Sequence, residues 1–339
     1  MLNYSLMSLP VLNIDLKLNL KRINALVKDD LNDFDRLISQ RLGSDIRLVN
    51  EISQHIIDAK GKRIRPLVSL LASRAVSESP SNHVLAALII ELIHTATLLH
   101  DDVVDQSLLR RGKPTANAKF GPKPSVLVGD FLYSRSFQLM NEIENAQMMK
   151  IMSNTTNTIA EGEVLQFMSA NNPKLTEQDY MQIIYRKTSA LFEAATEISG
   201  VIQNQAKEIC LALKKYGRHL GNAFQIIDDC LDYNSSEAVL GKNIGDDLME
   251  GKTTLPLIIA QQRGTAAENH LISEAIFNGD LTNLKSILLI IEATESIQYC
   301  IERATEETNH AIAALEALPS TKYKDGLIKL ATLALGRSN

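Results

Sequence analysis

Apolar residues recur at helical spacing along nearly the whole chain, for example in the stretches 67–71 and 84–92. Residues three or four positions apart lie on one face of a helix, so this spacing predicts helices with one buried side. The 339 residues include only 16 glycines and 9 prolines, the residues that most often interrupt helices. No convincing run alternates as a half-buried strand does. The sequence therefore predicts an all-α fold of roughly a dozen helices.

Breaks between the predicted helices are short and rich in glycine, proline and polar residues. They lie at Gly61, 79–82, 112–114, 121–124, 171–173, 234–236, 263–264 and 319–321. No Gly/Ser linker or low-complexity block divides the chain, so we expect a single domain over residues 21–339. Residues 1–20 precede it as an extra N-terminal arm that need not be ordered.

The composition argues against several classes of function. The net charge of −5 is unlike the basic excess of most nucleic-acid-binding proteins. The longest apolar stretch, 84–99, contains Glu91 and His94 and is too short for a membrane anchor. Three cysteines without metal-site spacing indicate reduced thiols in a cytoplasmic protein.

One aspartate motif occurs twice, each time directly after an apolar helical run. The copies are Asp101, Asp102 and Asp105 in DDVVD, and Asp228, Asp229 and Asp232 in DDCLD. On a helix the first and last aspartate of each copy lie one turn apart on the same face. Each copy therefore predicts a ridge of carboxylate oxygens at the end of a core helix.

A solvated acidic face is the ordinary interpretation of one such motif. Two unit charges about 4 Å apart repel by roughly 4 kcal/mol at an effective dielectric near 20, so two partly buried ridges need a counter-cation. Magnesium meets this need, because it binds a few carboxylates together with waters and substrate phosphates. Two distant copies of the motif favour a shared cavity.

Basic and polar side chains near these motifs indicate two kinds of anion site. Taken singly, each has an ordinary explanation as surface charge, an ion-pair partner or a core histidine. The predicted metal-assisted site contains Arg110, Lys187, Lys242 and Lys252. The predicted metal-free site contains Lys62, Arg65, His94 and Arg111. Arginine forks suit the bidentate binding of phosphate oxygens.

The chain resembles the trans-polyprenyl diphosphate synthases, and most of all the bacterial octaprenyl diphosphate synthases of quinone biosynthesis. The matching stretches are GKRIRPLV, ELIHTATLLHDDVVDQSLLRRGKPTANAKFG, VLVGDFLYSRSF, AEGEVLQ, YRKTSALFEAA, LGNAFQIIDDCLDY and LGKNIGDDLMEGKTTLPL. They follow in order from about Gly61 to Ile258. The resemblance thus covers nearly everything beyond the N-terminal arm.

The resemblance implies an isoprenoid-synthase fold, a helical bundle around a deep central cavity. Both aspartate motifs would bind Mg²⁺, with three ions in each active site. Isopentenyl diphosphate would bind the residues that match Lys62, Arg65, His94 and Arg111. The allylic diphosphate would bind those that match Arg110, Lys187, Thr188, Gln225, Lys242 and Lys252. Catalysis would rest on Asp101, Asp102, Asp105, Asp228, Asp229, Lys187 and Gln225.

The implied reaction joins an allylic primer, farnesyl diphosphate, to several isopentenyl diphosphates and yields an all-trans octaprenyl diphosphate. The product would extend from Asp101 past Thr97, Ala96 and Ile93, toward a floor near Met152. Because Ala96 and Thr97 are small, we expect an open tunnel, and Ala96→Phe is expected to shorten the product. The resemblance also implies a cytoplasmic homodimer, with the apolar helix around residues 127–140 as a candidate interface.

Four other interpretations remain at this point. A shorter-chain, geranylgeranyl-type synthase would share all of these motifs. A terpene cyclase would use a different second metal motif and needs no isopentenyl diphosphate site. A non-catalytic partner subunit is expected to lose aspartates, and none is lost here. A purely structural metal-binding bundle leaves the arrangement of the cations unexplained.

Overall fold

The computed structural model of the protein describes residues 16–58, 61–110, 112–234 and 244–336. In the first half the helices are α1 (Leu16–Leu26), α2 (Lys28–Arg41), α3 (Arg47–Asp58), α4 (Ile64–Val76), α5 (His83–Val104), α6 (Ala116–Phe120), α7 (Pro122–Glu142) and α8 (Ala146–Ser169). Strands β1 (Leu109–Arg110) and β2 (Lys113–Pro114) pair antiparallel between α5 and α6.

The second half is also helical. Its helices are α9 (Glu177–Ile184), α10 (Ala190–Val201), α11 (Lys207–Asn234), α12 (Asp246–Met249), α13 (Leu255–Arg263), α14 (Ala266–Asn278), α15 (Leu284–Ala293), α16 (Ser296–Ala314) and α17 (Lys322–Leu335). A π-helical turn, Tyr185–Ser189, joins α9 to α10, and a 3₁₀ turn, Leu315–Ala317, follows α16. The predicted all-α fold is confirmed.

The main hydrophobic core is built on α5, which packs against α4 and α7, and on α10, which packs against α4 and α11. Helix α5 is the one described helix that is long and apolar enough to cross a membrane. Half of its apolar window is buried inside the protein, as in the core helix of a globular domain. Its apolar character therefore reflects a central position in the fold.

Two predicted breaks have a different structure from the one expected. The stretch 121–124 forms the N-cap and the first turn of α7. Proline is tolerated in the first turn of a helix, because the N–H groups there have no partner within the helix. The stretch 112–114 belongs to the β1–β2 hairpin, whose strands are too short to show alternation. Residues 1–15 of the predicted arm lie outside the described residues, and residues 16–20 begin α1, which packs against α17.

Candidate active site

The first aspartate motif lies at the end of α5, and its side chains face two different cavities. Asp101 and Asp105 line a cleft of about 910 Å³ that is bordered mainly by α5, α7 and α8. Asp102 is buried and turns toward the hairpin, where Nε and Nη2 of Arg110 donate to its Oδ1 at 2.9 Å and 2.7 Å. The prediction that all three carboxylates form one ridge is therefore corrected: Asp102 is held by Arg110.

The second motif lies near the end of α11. Asp229 is buried and accepts hydrogen bonds from the Tyr180 hydroxyl at 2.6 Å and from Nε2 of Gln225 at 2.7 Å. Asp232 is buried too, and its Oδ2 accepts from the backbone N–H of Asp247 at 3.2 Å. Asp228 is exposed. Two of the three carboxylates are thus fixed inside the protein.

Two lysines pair with the first motif and line the pocket of the second. Nζ of Lys187 lies 2.8 Å from Oε2 of Glu163 and 3.7 Å from Oδ2 of Asp101, and Lys187 also lines a pocket beside Asp229. Nζ of Lys252 lies 3.2 Å from Oδ2 of Asp105. Lys252 lines both the cleft and the Asp229 pocket. The two motifs therefore face adjoining cavities that have Lys252 in common, whereas the sequence predicted one shared cavity.

Burial dominates the electrostatics of these carboxylates. It raises the pKa of Asp101, an effect that Lys187 opposes and Asp105 reinforces. Burial, with the charge of Asp247, raises the pKa of Asp229 well above its usual range. Burial alone would lower the pKa of Lys252, but the surrounding carboxylates outweigh it and raise that pKa. Buried carboxylates of this kind favour a site that receives further positive charge.

The π-helical turn presents Lys187 and Thr188 to the site. The hydroxyl of Thr188 donates to Oε1 of Gln225 at 2.8 Å, and Gln225 in turn donates to Asp229. Gln225 and Asp229 lie one helical turn apart on α11, which places the amide within hydrogen-bond reach of the carboxylate. π-Helical turns are rare and occur often at functional sites.

The predicted isopentenyl diphosphate residues are only partly brought together. Nη1 of Arg65 lies 3.1 Å from Nε2 of His94, and its guanidinium covers the Phe192 ring at 4.6 Å. His94 lines a small cavity with Asp102 and Arg110. Lys62 is exposed beside a separate pocket. Arg111 of this set, and Lys242 of the allylic set, lie outside the described residues.

The predicted chain-length residues also separate. Ile93 and Thr97 line the cleft that contains Asp101. Ala96 and Met152 are fully buried in the main hydrophobic core and are not among the side chains that line the cleft. A large side chain is therefore expected to enter the cleft from position 97 rather than from position 96.

Sequence reasoning missed four residues of this site. Glu163 and Glu250 pair with Lys187 and Lys252, and Asp247 contributes to the charge around Asp229. These three lie within stretches that carry the family resemblance, which was their only signal. Tyr180 had no signal, because its contact with Asp229 depends on how α9 packs on α11.

The donor chemistry fits magnesium. The site offers hard carboxylate oxygens beside cations that suit a diphosphate. Within the described ranges, no three acidic, histidine or cysteine side chains converge as a complete metal site. Magnesium is usually bound by one or two carboxylates, with waters and substrate phosphates completing its shell. The carboxylates present are sufficient for that mode of binding.

Comparison with known proteins identifies the family. The family model for polyprenyl synthetase matches residues 46–293. The chain belongs to the polyprenyl synthetase family. It is 48% identical over 321 residues to octaprenyl diphosphate synthase from Escherichia coli, covering 94% of this chain and 99% of that protein. It is equally 48% identical, over 317 residues, to a geranyl-diphosphate-specific all-trans-nonaprenyl-diphosphate synthase from Rhodobacter capsulatus, covering 93% and 97%.

A solved structure in this family has the same fold. A polyprenyl synthase from Caulobacter crescentus, complexed with calcium and isoprenyl diphosphate, superimposes with a TM-score of 0.90. It is 38% identical to this chain, and the match covers 94% of this chain and 98% of that one. The isoprenoid-synthase fold and the family assignment are confirmed. The protein is a trans-prenyltransferase.

Proposed function

We propose that this polyprenyl synthase condenses farnesyl diphosphate with several isopentenyl diphosphates to all-trans octaprenyl diphosphate for quinone side chains. One observation carries the proposal. Lys187 and Lys252 form ion pairs with carboxylates of the first aspartate motif, and both also line the pocket of Asp229 in the second motif. Their carboxylate partners line a large cleft whose lining is mainly apolar. That arrangement suits a substrate with an anionic head and a growing hydrocarbon tail.

The allylic diphosphate binds where the cations meet the aspartates. Arg110, Lys187 and Lys252 supply positive charge there, and Lys242 completes the set by family resemblance. Magnesium, three ions by family resemblance, would be held by the aspartates and would supply positive charge to the departing diphosphate. The lysines act in the same direction, because preorganised cations stabilise charge that develops on the leaving oxygen.

The isopentenyl diphosphate binds in a metal-free site. Arg65 and His94 lie together in the structure. Lys62, which lies beside a separate pocket, and Arg111 join them by family resemblance. The Phe192 ring under the Arg65 guanidinium fixes the orientation of that fork. This substrate must keep its diphosphate, so a site with cations but without a carboxylate ridge suits its role.

The π-helical turn supports the carbocation that forms when the carbon–oxygen bond breaks. An i→i+5 turn leaves carbonyl groups outside the regular helical ladder. Lys187, Thr188 and Gln225 line the pocket beside Asp229. We infer that the carbonyl dipoles of the two turn residues and the Gln225 side chain stabilise positive charge on the allyl carbon. The mainly apolar side chains of the cleft offer few polar groups that would hold water beside the cation.

The length of the product is proposed from the relatives and from the cleft. The Escherichia coli relative makes octaprenyl chains by its name, and the Rhodobacter capsulatus relative, at equal identity, makes nonaprenyl chains by its name. Eight isoprene units is our proposal, and nine units is its nearest competitor. A geranylgeranyl-type product is the alternative among shorter chains, and Thr97 leaves the cleft open at the position where a bulky residue would close it.

The enzyme is proposed to act as a homodimer in the cytoplasm. Helix α7 supports the dimer, because Leu127 is 65% exposed and Val126 is also exposed on the surface of that helix. Cys210, Cys230 and Cys300 are buried and form no disulfide, which is consistent with a reducing compartment.

One assay tests the proposed function. The purified enzyme is incubated with farnesyl diphosphate, labelled isopentenyl diphosphate and Mg²⁺, and the dephosphorylated products are sized by chromatography. We expect a dominant octaprenol that disappears when a chelator is added. Geranylgeraniol as the end product would refute the long-chain assignment, and a cyclic hydrocarbon would refute prenyl transfer itself.

A further inference from the structure

The π-helical turn Tyr185–Ser189 packs closely against α8 at Gly162. A Cβ atom on Gly162 would lie 2.7 Å from Cβ of Arg186 and 3.0 Å from the backbone nitrogen of Lys187. These atoms belong to the backbone or are attached directly to it, so no side-chain rotation relieves the overlap. Gly162 therefore permits an approach of the two elements that any other residue would prevent.

A second glycine, Gly221, allows an equally close approach on the other side of the turn. A Cβ atom on Gly221 of α11 would lie 2.6 Å from Cα of Ser189. The turn is thus confined between α8 and α11, with backbone atoms in contact on both sides. An isolated π-turn has poor intrinsic stability, so close packing of this kind is a physical reason for its persistence.

A buried polar chain fixes the end of the turn. The Ser189 hydroxyl donates to Oδ1 of Asn222 at 2.5 Å. Nδ2 of Asn222 donates to Oε2 of Glu307 at 3.0 Å, and Nδ1 of His219 lies 2.7 Å from the same oxygen. Ser189, Asn222 and Glu307 are all buried, so these bonds hold the turn in one register relative to α11 and α16.

The side chains at the centre of this turn are the ones that reach the site. Lys187 extends to Glu163 and Asp101, and Thr188 extends to Gln225. Glu163 directly follows Gly162 on α8, so the close approach also sets the distance between Lys187 and its partner. A shift of the turn by an ångström would move both side chains together.

We propose that Gly162, Gly221 and the Ser189–Asn222 hydrogen bond form a seat for the π-turn that positions Lys187 and Thr188 on the allylic diphosphate. The seat consists of positioning residues, which act through Lys187 and Thr188 rather than on the substrate. The inference rests on the proposed function, because it takes Lys187 and Thr188 as allylic diphosphate ligands. It predicts that disturbing the seat selectively lowers the affinity for the allylic diphosphate.

Gly162→Ala tests the seat, with Gly200→Ala as its matched control. Gly200 is also a tightly packed helical glycine, but its nearest neighbours are Sγ of Cys210 and Cδ1 of Leu213, both at 3.1 Å and away from the turn. Dissociation constants are measured by calorimetry for farnesyl thiodiphosphate, an unreactive allylic analogue, with Mg²⁺, and separately for isopentenyl diphosphate. Circular dichroism verifies that each variant is folded.

The expected result is a selective loss of affinity. Gly162→Ala should weaken binding of the analogue at least about tenfold, since small misplacements of binding groups are costly. It should change the dissociation constant of isopentenyl diphosphate by less than about twofold. Gly200→Ala should change neither constant. Equal weakening of both ligands, or unchanged analogue binding in folded Gly162→Ala, would overturn the seat.

A second pair of variants decides the matter if Gly162→Ala does not fold. Ser189→Ala and Ser199→Ala each remove one fully buried hydroxyl, and the Ser199 hydroxyl bonds Ser69 and Ala195 instead of the turn. Only Ser189→Ala should selectively weaken binding of the analogue. Equal effects of the two variants on that binding would reject the seat. A wild-type enzyme that fails to bind the analogue would instead reject the proposed function.

Discussion

Nζ of Lys252 lies 3.2 Å from Oδ2 of Asp105, although 147 positions separate the two residues in the chain. The loop before α13 thereby returns to the end of α5 and brings its cation to the first aspartate motif. The pKa of Lys252 lies above its ordinary value, because the carboxylates around it outweigh the effect of burial. The lysine is therefore positively charged at neutral pH.

Replacing this cation should impair catalysis with the allylic substrate. We expect Lys252→Gln to lower kcat/KM for farnesyl diphosphate by about 10²-fold, as for the loss of one preorganised charge-stabilising donor. Initial rates at varied farnesyl diphosphate measure the effect. Lys285→Gln removes an exposed lysine from α15 and should leave the rate unchanged. Equal rates for the two variants would remove Lys252 from the diphosphate site.

The hydrogen bond from Tyr180 to Asp229 should tune magnesium binding. Tyr180→Phe removes a donor that orients this carboxylate, so the Mg²⁺ concentration for half-maximal activity is expected to rise about threefold to tenfold. Tyr216→Phe is the control, because that buried hydroxyl bonds the Leu327 carbonyl far from the carboxylates. It should lower stability by about 1 kcal/mol without altering the Mg²⁺ requirement. A parallel change in both variants would mean that the Tyr180 effect is structural.

Product length should respond to position 97 and not to position 96. Thr97→Phe places a ring in the cleft, so products shorter than those of the wild type should accumulate. Ala96→Phe overpacks the main core instead and should cost about 1–3 kcal/mol of stability. Chromatographic sizing and urea unfolding separate the two effects. Full-length products from a folded Thr97→Phe enzyme would show that the chain grows elsewhere.

A buried ion cluster outside the site should control acid stability. Asp30 of α2 is buried, and its Oδ1 and Oδ2 lie 2.6 Å and 2.8 Å from the Arg74 guanidinium of α4, with His83 of α5 at 3.0 Å. Burial alone would raise the pKa of Asp30, but hydrogen bonds from Arg74 and His83 outweigh it and hold the pKa well below its usual range.

The sign of the linkage follows from that lowered pKa. The stability from Asp30 is fully present above its unfolded pKa of about 3.9 and is lost as the pH falls toward the folded pKa. Asp30→Asn should cost about 3 kcal/mol at pH 7 and flatten the pH dependence of unfolding below about pH 4. Asp33→Asn, which alters an exposed ion pair, should do neither. Urea unfolding at pH 7 and pH 3 checks both variants.

The sequence predicts the parts of this protein that depend on local spacing. Helical periodicity indicates the fold class, and the spacing within each aspartate motif places its first and last carboxylate on one face of a helix. The orientation of Asp102 was not predictable, because it depends on a hairpin of two-residue strands that places Arg110 beside it. The contact of Tyr180 with Asp229 and the π-turn depend on tertiary packing, which leaves no periodic signal.

The central claim is that both aspartate motifs hold metal against one allylic diphosphate. Counting Mn²⁺ bound per subunit in the presence of farnesyl thiodiphosphate tests it directly, by electron paramagnetic resonance of the free ion. We expect three ions in the wild type, and fewer in both Asp101→Asn and Asp228→Asn. An unchanged ion count in either folded variant would contradict the account, because that motif would then hold no metal against the diphosphate.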